Sequence, residues 1–217
     1  TGINYNGMKN ILGTFHMPQC TLLYPDWLTS LPTEQLLSGS GEMLKNAILS
    51  DETEWNRLLV YDLDTFETPS LAPRISCSLA IKEAIVKADP HEEGIRKALN
   101  FGHTFGHALE ALSEGQIAHG YAVVYGMIAE LYLSVTLLDC PKEPLQQMTQ
   151  LMLHYYGRPQ CNCKDRERLI AFMLQDKKNE RADEINCTLI HKIGEPIINQ
   201  VITQEQVAEA WDYLMSL

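Results

Sequence analysis

The segment that decides the fold spans residues 96–110 and reads RKALNFGHTFGHALE. Wound as a single helix at ~100° per residue, it gathers its polar side chains into a sector of roughly 80°. That sector holds Arg96, Asn100, His103, His107 and Glu110. The opposite side predicts a core-facing surface and holds Phe101, Phe105, Ala108 and Leu112. A solvated helix face would carry Lys and Glu pairs instead, so this stretch predicts a functional site.

Two glycines, Gly102 and Gly106, flank the polar residues. Each costs a helix about 1 kcal/mol relative to alanine, so some other interaction must offset that cost. Because glycine has no side chain to hold a neighbour away, we expect a ligand or a second backbone to approach closely at these positions.

The two histidines one helical turn apart allow more than one interpretation. They could share a metal ion, or one could bind a metal while the other transfers protons. A pair of hydrogen-bonded core histidines is the structural alternative. His119 opens the next helical run, and Glu42 and Lys45 precede the segment, which favours the metal. The spacing of Glu42 and Lys45 alone fits an ordinary surface ion pair equally well.

Composition limits the classes of function. The chain has 217 residues, of which 45% are hydrophobic and 21% charged, as in a globular protein with a real core. Its net charge of −11 argues against nucleic acid or an acidic membrane surface as a partner. No uninterrupted apolar run reaches the ~18 residues of a membrane span. A basic pocket inside this acidic chain stays possible, built from Lys45, Lys82 and Arg96.

The cysteine pattern indicates a reducing compartment. Six cysteines are scattered along the chain, and only Cys161 and Cys163 are close together. Without a second pair at ligand spacing, free thiols are the better interpretation. We therefore expect a cytoplasmic protein.

Apolar residues at a 3.6-residue period predict a mainly α-helical fold with a short strand or hairpin. We expect helices over residues 33–50, 52–64, 69–88, 96–112, 121–138, 143–156, 164–175 and 203–217. Thr33 and Thr203 are candidate N-caps, and Gln206 stands at the capping-box position after Thr203.

The remaining segments predict strands and loops. An alternating stretch over residues 185–194 predicts the strand or hairpin. Residues 1–20 are rich in Gly and Asn and predict a loop with a short amphipathic stretch. Residues 20–24 predict a brief strand that ends at Pro25.

The motif GIRKALNFGHTFGHALE at residues 94–110, followed by HGYAV at 119–123, closely resembles the 3-dehydroquinate synthase family. Further matching motifs are TGIN at 1–4, MKNILG at 8–13, SLP at 30–32, SGSGEMLK at 38–45 and DKKN at 176–179. The resemblance therefore covers nearly the whole chain. It implies the multihelical C-terminal domain of the dehydroquinate synthase-like fold.

The resemblance also implies an activity. Members of the family are lyases that cyclise 3-deoxy-D-arabino-heptulosonate 7-phosphate, a small anionic sugar phosphate, to 3-dehydroquinate with release of phosphate, on the route to chorismate. They use NAD transiently and a divalent metal, zinc or cobalt, and the full-length chain is expected to form a homodimer.

Three other functions are weighed against this one. Another sugar-phosphate cyclase, of the inosose or valiolone type, would share the metal motif. The matches at Arg96, Asn100 and residues 176–179 favour dehydroquinate synthase over these siblings. A glycerol-type dehydrogenase is more distant because it lacks the Glu-x-x-Lys element. The non-enzyme alternative is a helical metal-binding domain that has no catalysis when isolated.

Carried over by motif, the resemblance assigns roles to individual residues. The metal ligands would be Glu42, His103 and His119, and one carboxylate with two imidazoles suits a catalytic zinc with an open position. Proton transfer would fall to His107 and Glu92. The groups that surround the substrate carboxylate and phosphate would be Lys45, Lys82, Arg96 and Asn100. Such anions require cationic hydrogen-bond donors.

Contacts nearer the chain ends follow from the same motifs. Further substrate contacts would come from Asn10, Ser38 and one of Lys177 and Lys178. The residues that touch NAD from this side would be Lys9, Trp27, Leu28, Thr29 and Ser30. Gly41, Pro90 and Tyr121 depart from the common family pattern, but none of them replaces a metal ligand.

The chain begins at Thr1 in mid-motif, where the resembled family has a lysine immediately before TGIN. It also carries no Gly-rich dinucleotide fingerprint. We therefore expect the C-terminal part of a longer enzyme, inactive on its own. Residues 1–30 would be the seam with the NAD-binding domain, and residues 31–217 would form the helical metal- and substrate-binding domain.

Overall fold

The computed structural model describes residues 2–5, 8–14, 16, 19–175 and 184–217. These residues are mainly α-helical with two short antiparallel hairpins, which confirms the predicted fold class. The strands are β1 (Gly2–Tyr5), β2 (Met8–Gly13), β3 (Ile185–Lys192) and β4 (Glu195–Ile202). The α-helices are α1 (Thr33–Ser50), α2 (Glu52–Leu59), α3 (Thr68–Ala88), α4 (His103–Leu112), α5 (His119–Leu138), α6 (Lys142–Leu151), α7 (Arg166–Leu174) and α8 (Gln204–Ser216). Two 3-10 helices cover Pro25–Ser30 and Ile95–Asn100, and a π-helical turn covers Met152–Tyr156.

Helix α5 is the centre of the fold. It is apolar nearly all round, as predicted, and packs against α1, α4, α8 and β3. Within the part of the chain that the structure describes, it is the one helix long and apolar enough to cross a bilayer. Because 67% of its most apolar window is buried inside the protein, its composition is that of a core helix.

The crossing of α1 and α5 depends on two glycines. A Cβ placed on Gly120 would lie 1.8 Å from the carbonyl oxygen of Ser38, and one on Gly41 would lie 2.5 Å from the carbonyl oxygen of Gly120. Real Cβ atoms do not come this close to backbone, so only glycine permits the contact. Gly41 is thus required by this crossing.

The crossing of α4 and α5 is built in the same way. A Cβ on Gly106 would lie 2.9 Å from the carbonyl oxygen of Ala122, and one on Gly126 would lie 1.9 Å from that of Gly102. At Gly102 itself a Cβ would meet the side chain of Met127 at 2.6 Å. The expectation of close approach at Gly102 and Gly106 is confirmed, and what approaches them is helix α5.

The alternating stretch at residues 185–194 forms β3, as predicted, and its partner β4 lies beyond the predicted range. This hairpin bonds the start of α4 and the 3-10 helix before it. Thr104 Oγ1 donates to the backbone oxygen of Asn186, and Thr188 Oγ1 donates to that of Lys97. Helix α8 follows with the predicted capping box, in which Thr203 and Gln206 bond each other's backbone amides.

The single helix predicted over residues 96–112 is wrong. The chain forms a 3-10 helix over Ile95–Asn100, breaks at Gly102 with φ +79°, and starts α4 at His103. A left-handed φ ends any right-handed helix, and glycine adopts it without strain. Arg96 and Asn100 therefore lie on a different element from the two histidines.

Four smaller predictions are also wrong. Residues 2–5 and 8–13, predicted as part of a loop, form the paired strands β1 and β2, because antiparallel pairing satisfies their backbone groups. Residues 20–24 form no strand. Thr33 is the first residue of α1 and not its cap, since the N-cap position is held by Pro32. Helix α2 ends at Leu59, five residues before the predicted end at 64, because the chain turns at Val60.

The glycine contacts lead to a first prediction. Gly120→Ala should lower the free energy of unfolding by about 1–3 kcal/mol, because the new methyl group forces α1 away from α5. Gly39→Ala is the matched control, since a Cβ at this α1 glycine meets nothing within 4 Å and alanine favours a helix. Urea unfolding followed by circular dichroism measures both. Equal midpoints for the two variants would contradict the tight crossing.

Candidate metal centre

Three side chains from three helices converge at the start of α4 and α5. Glu42 lies in the middle of α1, while His103 and His119 are the first residues of α4 and α5. Glu42 Oε1 lies 3.5 Å from Nε2 of His103 and 3.5 Å from Nε2 of His119. All three candidate ligand atoms lie within 4.8 Å of one another. Oxygen and nitrogen ligands at ~2.0–2.2 Å from a tetrahedral zinc ion stand roughly 3.4 Å apart, so this arrangement fits such a cation.

The far nitrogens of both imidazoles are held by acceptors. His119 Nδ1 lies 3.1 Å from Glu110 Oε1, and His103 Nδ1 lies 3.1 Å from the backbone oxygen of Phe101. A carbonyl oxygen only accepts, so Nδ1 of His103 carries the hydrogen and Nε2 presents its lone pair to the cluster. Acceptors of this kind orient metal-binding histidines in many proteins.

The carboxylate of Glu42 divides its two oxygens between different partners. Oε1 faces the imidazoles, and Oε2 accepts a hydrogen bond of 2.9 Å from Lys45 Nζ. The predicted pairing of Glu42 and Lys45 is therefore present. However, Lys45 is only 2% exposed, so the pair is not the ordinary surface ion pair that the spacing alone allowed.

The surroundings set the charges of the three candidate ligands. Burial opposes ionisation of Glu42, but the hydrogen bond with His119 and the charge of Lys45 outweigh it and hold the pKa of Glu42 below its usual range. Burial and the charge of Lys45 lower the pKa of His103 well below its ordinary value. Hydrogen bonds to Glu110 and Glu42 raise the pKa of His119 to about 9. At neutral pH a cation therefore finds an ionised Glu42 and a neutral His103, and competes with a proton only at His119.

His107 lies beside the cluster without joining it. Its ring centroid is 5.4 Å from that of His103 and 6.3 Å from that of His119. Its Nε2 lies 4.0 Å from Glu110 Oε2, so Glu110 stands between His107 and His119. The side chain of His107 is 35% exposed.

Comparison with known proteins identifies the family of the chain. Residues 39–179 match the 3-dehydroquinate synthase C-terminal family. The chain belongs to the 3-dehydroquinate synthase family. It is 42% identical to the 3-dehydroquinate synthase of Parabacteroides distasonis over 98% of its own length and 61% of the relative's. It is 36% identical to the 3-dehydroquinate synthase of Listeria monocytogenes strain F2365 over 90% of its own length and 54% of the relative's. The chain thus spans little more than half the length of these relatives.

Two solved structures share the fold. A 2-deoxy-scyllo-inosose synthase, solved with carbaglucose-6-phosphate, NAD+ and Co2+, superimposes with a TM-score of 0.83 at 20% identity and covers 99% of this chain and 60% of that one. The 2-epi-5-epi-valiolone synthase ValA of Streptomyces hygroscopicus, solved with NAD+ and Zn2+, superimposes with a TM-score of 0.79 at 21% identity. The match covers 100% of this chain and 61% of that one. The fold of the dehydroquinate synthase family is therefore shared with sugar-phosphate cyclases.

The segment that links α3 to the second 3-10 helix forms a compact turn. Asp89 ends α3, and its carboxylate accepts hydrogen bonds from the backbone amides of Glu93, Gly94 and Arg96. Sequence reasoning missed Asp89; the signal was an acidic residue at the Asp-Pro end of a helix.

The predicted residues of this turn contact one another or its backbone. Asn100 Nδ2 donates to Glu92 Oε1 at 2.9 Å, and Glu92 has a left-handed φ of 61°. Arg96 donates to the backbone oxygen of Pro90 at 2.7 Å. Glu92, Arg96 and Asn100 are thus brought together, although the continuous helix that predicted the proximity of Arg96 and Asn100 to the histidines does not exist.

Ser38 and Lys82 have different surroundings. Ser38 Oγ accepts a hydrogen bond of 2.9 Å from the backbone amide of Gly120, the residue after His119. It therefore caps the start of α5 from α1, next to the candidate ligand His119. Lys82 is exposed on α3, one turn beyond Ser78, which bonds the side chain of Asn46 in α1.

The residues expected to touch NAD from this side lie partly in the first 3-10 helix. Trp27 is 72% exposed and Leu28 packs against the core, while Thr29 and Ser30 donate to backbone oxygens of the same helix. Lys9 and Asn10 belong to β2, and their side chains lie outside the described residues. Lys177 and Lys178 also lie outside the described residues.

The metal centre leads to a second prediction. The chain should bind about one zinc ion, and the double variant His103→Ala, His119→Ala should bind none, because only Glu42 would remain as a ligand. Metal content after incubation with added zinc and gel filtration measures this. His91→Ala, His191→Ala removes two exposed histidines outside the cluster and serves as the control. Equal zinc content in all three proteins would refute the ligand assignment.

Proposed function

We propose that this chain provides the metal- and substrate-binding part of a 3-dehydroquinate synthase. The whole enzyme would cyclise 3-deoxy-D-arabino-heptulosonate 7-phosphate to 3-dehydroquinate and release phosphate. The observation that carries the proposal is the convergence of Glu42, His103 and His119 at ligand distances in a member of this family. The metal-bound cyclases of the same fold support it.

The chain's own residues suit this chemistry. A divalent cation, zinc or cobalt, would polarise an oxygen of the substrate and leave coordination positions open, since the protein offers three ligands. Lys45 keeps Glu42 ionised from the buried side. His107 is partly exposed beside the cluster, and there it would exchange protons with the substrate.

Binding of an anionic substrate would use the turn before α4. Arg96 has five N–H donors, so its bond to Pro90 leaves others for a carboxylate or phosphate. Asn100 adds an amide next to it, and its bond to Glu92 keeps this second proton-transfer candidate in place. We propose that Lys82, Ser38 and the lysines at 177 and 178 complete the surroundings of the substrate.

The division into domains is also proposed. Residues 31–217 would form the helical metal- and substrate-binding domain, and residues 1–30 the seam towards an NAD-binding domain. In support, among the residues that the structure describes, most of the exposed large apolar side chains lie before residue 32. They are Ile3, Tyr5, Leu12, Leu22, Leu23, Tyr24, Trp27 and Leu31. Lys9 and residues 27–30 would touch NAD there, and the full-length protein would be a cytoplasmic homodimer.

A sibling cyclase is the second candidate. The solved structures that share the fold act in inosose and valiolone formation, which favours this reading. Their identities of 20% and 21% are half of the 42% shared with the 3-dehydroquinate synthase of Parabacteroides distasonis, so the dehydroquinate activity is preferred.

A third prediction tests catalysis. Because this chain spans 61% of the Parabacteroides distasonis relative, it would be assayed both alone and fused to the remaining part of that relative. With NAD and zinc, the fused protein should release phosphate from 3-deoxy-D-arabino-heptulosonate 7-phosphate and the chain alone should not. Glucose 6-phosphate is the control substrate, and preference for it would indicate a sibling cyclase.

Two histidine variants of the fused protein separate the proposed roles. His107→Ala should slow phosphate release by ~10²-fold or more and keep the metal, as expected for loss of a proton-transfer group. His103→Ala should lose metal and activity together. The opposite result, with metal lost only in His107→Ala, would invert the two assignments.

A further inference from the structure

Glu130 is a fully buried carboxylate in the middle of helix α5. Its Oε2 accepts a hydrogen bond of 2.6 Å from the backbone amide of Gly102. This distance is short for an N–H···O hydrogen bond. A carboxylate inside the core is costly to desolvate, and here it is directed at the residue immediately before the ligand His103.

The amide that Glu130 holds belongs to the peptide group between Phe101 and Gly102. The carbonyl oxygen of this same peptide group is Phe101 O, which accepts the hydrogen bond from His103 Nδ1 at 3.1 Å. A peptide group is planar and conjugated, so fixing its N–H also fixes the direction of its C=O. Hydrogen bonds at the two ends strengthen each other. Glu130 is thus linked to the imidazole of His103 through a single peptide group.

The packing of α5 explains why an acceptor is needed at this place. Gly102 has a left-handed φ and sits against Val123 and Met127, which lie on the same face of α5 as Glu130. Its amide lies in the break between the 3-10 helix and α4. A buried amide requires a partner, and a side chain one turn beyond Met127 supplies it.

We propose that Glu130 is a positioning residue of the metal centre, which orients His103 and increases its donor strength through the 101–102 peptide group. This inference rests on the metal site proposed above. It gives each imidazole a carboxylate at its far side, since Glu110 bonds His119 directly. The 101–102 peptide group lies between Glu130 and His103, whereas no group lies between Glu110 and His119.

Cobalt binding by the 217-residue chain tests the proposal. Co2+ is titrated into wild type, Glu130→Gln and Ser134→Ala, and the visible absorption bands report both affinity and ligand geometry. Glu130→Gln keeps the shape of the side chain and replaces the carboxyl group by an amide. It should bind Co2+ roughly 10-fold more weakly than wild type and shift the bands, as loss of an outer partner does in other metal sites.

Ser134→Ala is the matched control. Ser134 is equally buried one turn further along α5, where it bonds the backbone of Glu130 and Ile190 and not Gly102. It should lower the unfolding midpoint and leave cobalt affinity and bands within 2-fold of wild type. If Glu130→Gln fails to fold, Glu130→Asp, which withdraws the carboxylate from Gly102, is judged by the same criterion.

Three results would overturn the proposal. Wild-type affinity and bands in Glu130→Gln would show that the link is not used. An equal loss of affinity in Ser134→Ala would assign the effect to general loosening of α5. Failure of wild type to bind Co2+ would instead remove the metal site itself, and with it the proposed function.

Discussion

The site depends on one constraint: helix α5 crosses its neighbours at glycines, which have no side chain to keep the helices apart. Gly41 and Gly120 bring α1 against α5, and Gly102, Gly106 and Gly126 bring the start of α4 against it. These contacts involve helix backbones, which are more rigid than side chains. The ligands stand next to the contacts in sequence, so the distances between them follow from helix packing.

This arrangement separates the placement of the ligands from their electrostatics. Backbone contacts set where Glu42, His103 and His119 stand. Polar side chains behind them then set their charge and orientation: Lys45 behind Glu42, and Glu110 behind His119. Metal sites commonly need this supporting layer, because an imidazole that rotates freely presents its lone pair in the right direction only part of the time.

Much of the site could be predicted from sequence, because α4 keeps the helical spacing on which the prediction relied. His103, His107 and Glu110 do share one face, and Phe105 and Ala108 are buried on the other. The spacing could not reveal the break, since periodicity counts residues and does not detect the left-handed φ of Gly102.

Other features depend on long-range contacts that a local pattern does not contain. The glycines signalled a close approach, but only the fold identifies α5 as the partner of α4. Ser38 matched a substrate contact by motif, and its bond to the Gly120 amide, 82 positions away, was not foreseeable. Glu130 sits in an apolar helix far from the motif and gave no periodic signal.

The three candidate ligands are dispersed along the chain, which has a consequence for folding. Glu42 and His103 are separated by 61 positions (103 − 42), and His119 follows 16 positions later (119 − 103). No local segment can therefore assemble the site, and it exists only once α1, α4 and α5 have docked. A cation held there closes a long loop of chain as a cross-link does, and its binding free energy adds to the stability of the docked state. Opening of α1 alone would release it, so residence time of the cation would report the local unfolding of one helix.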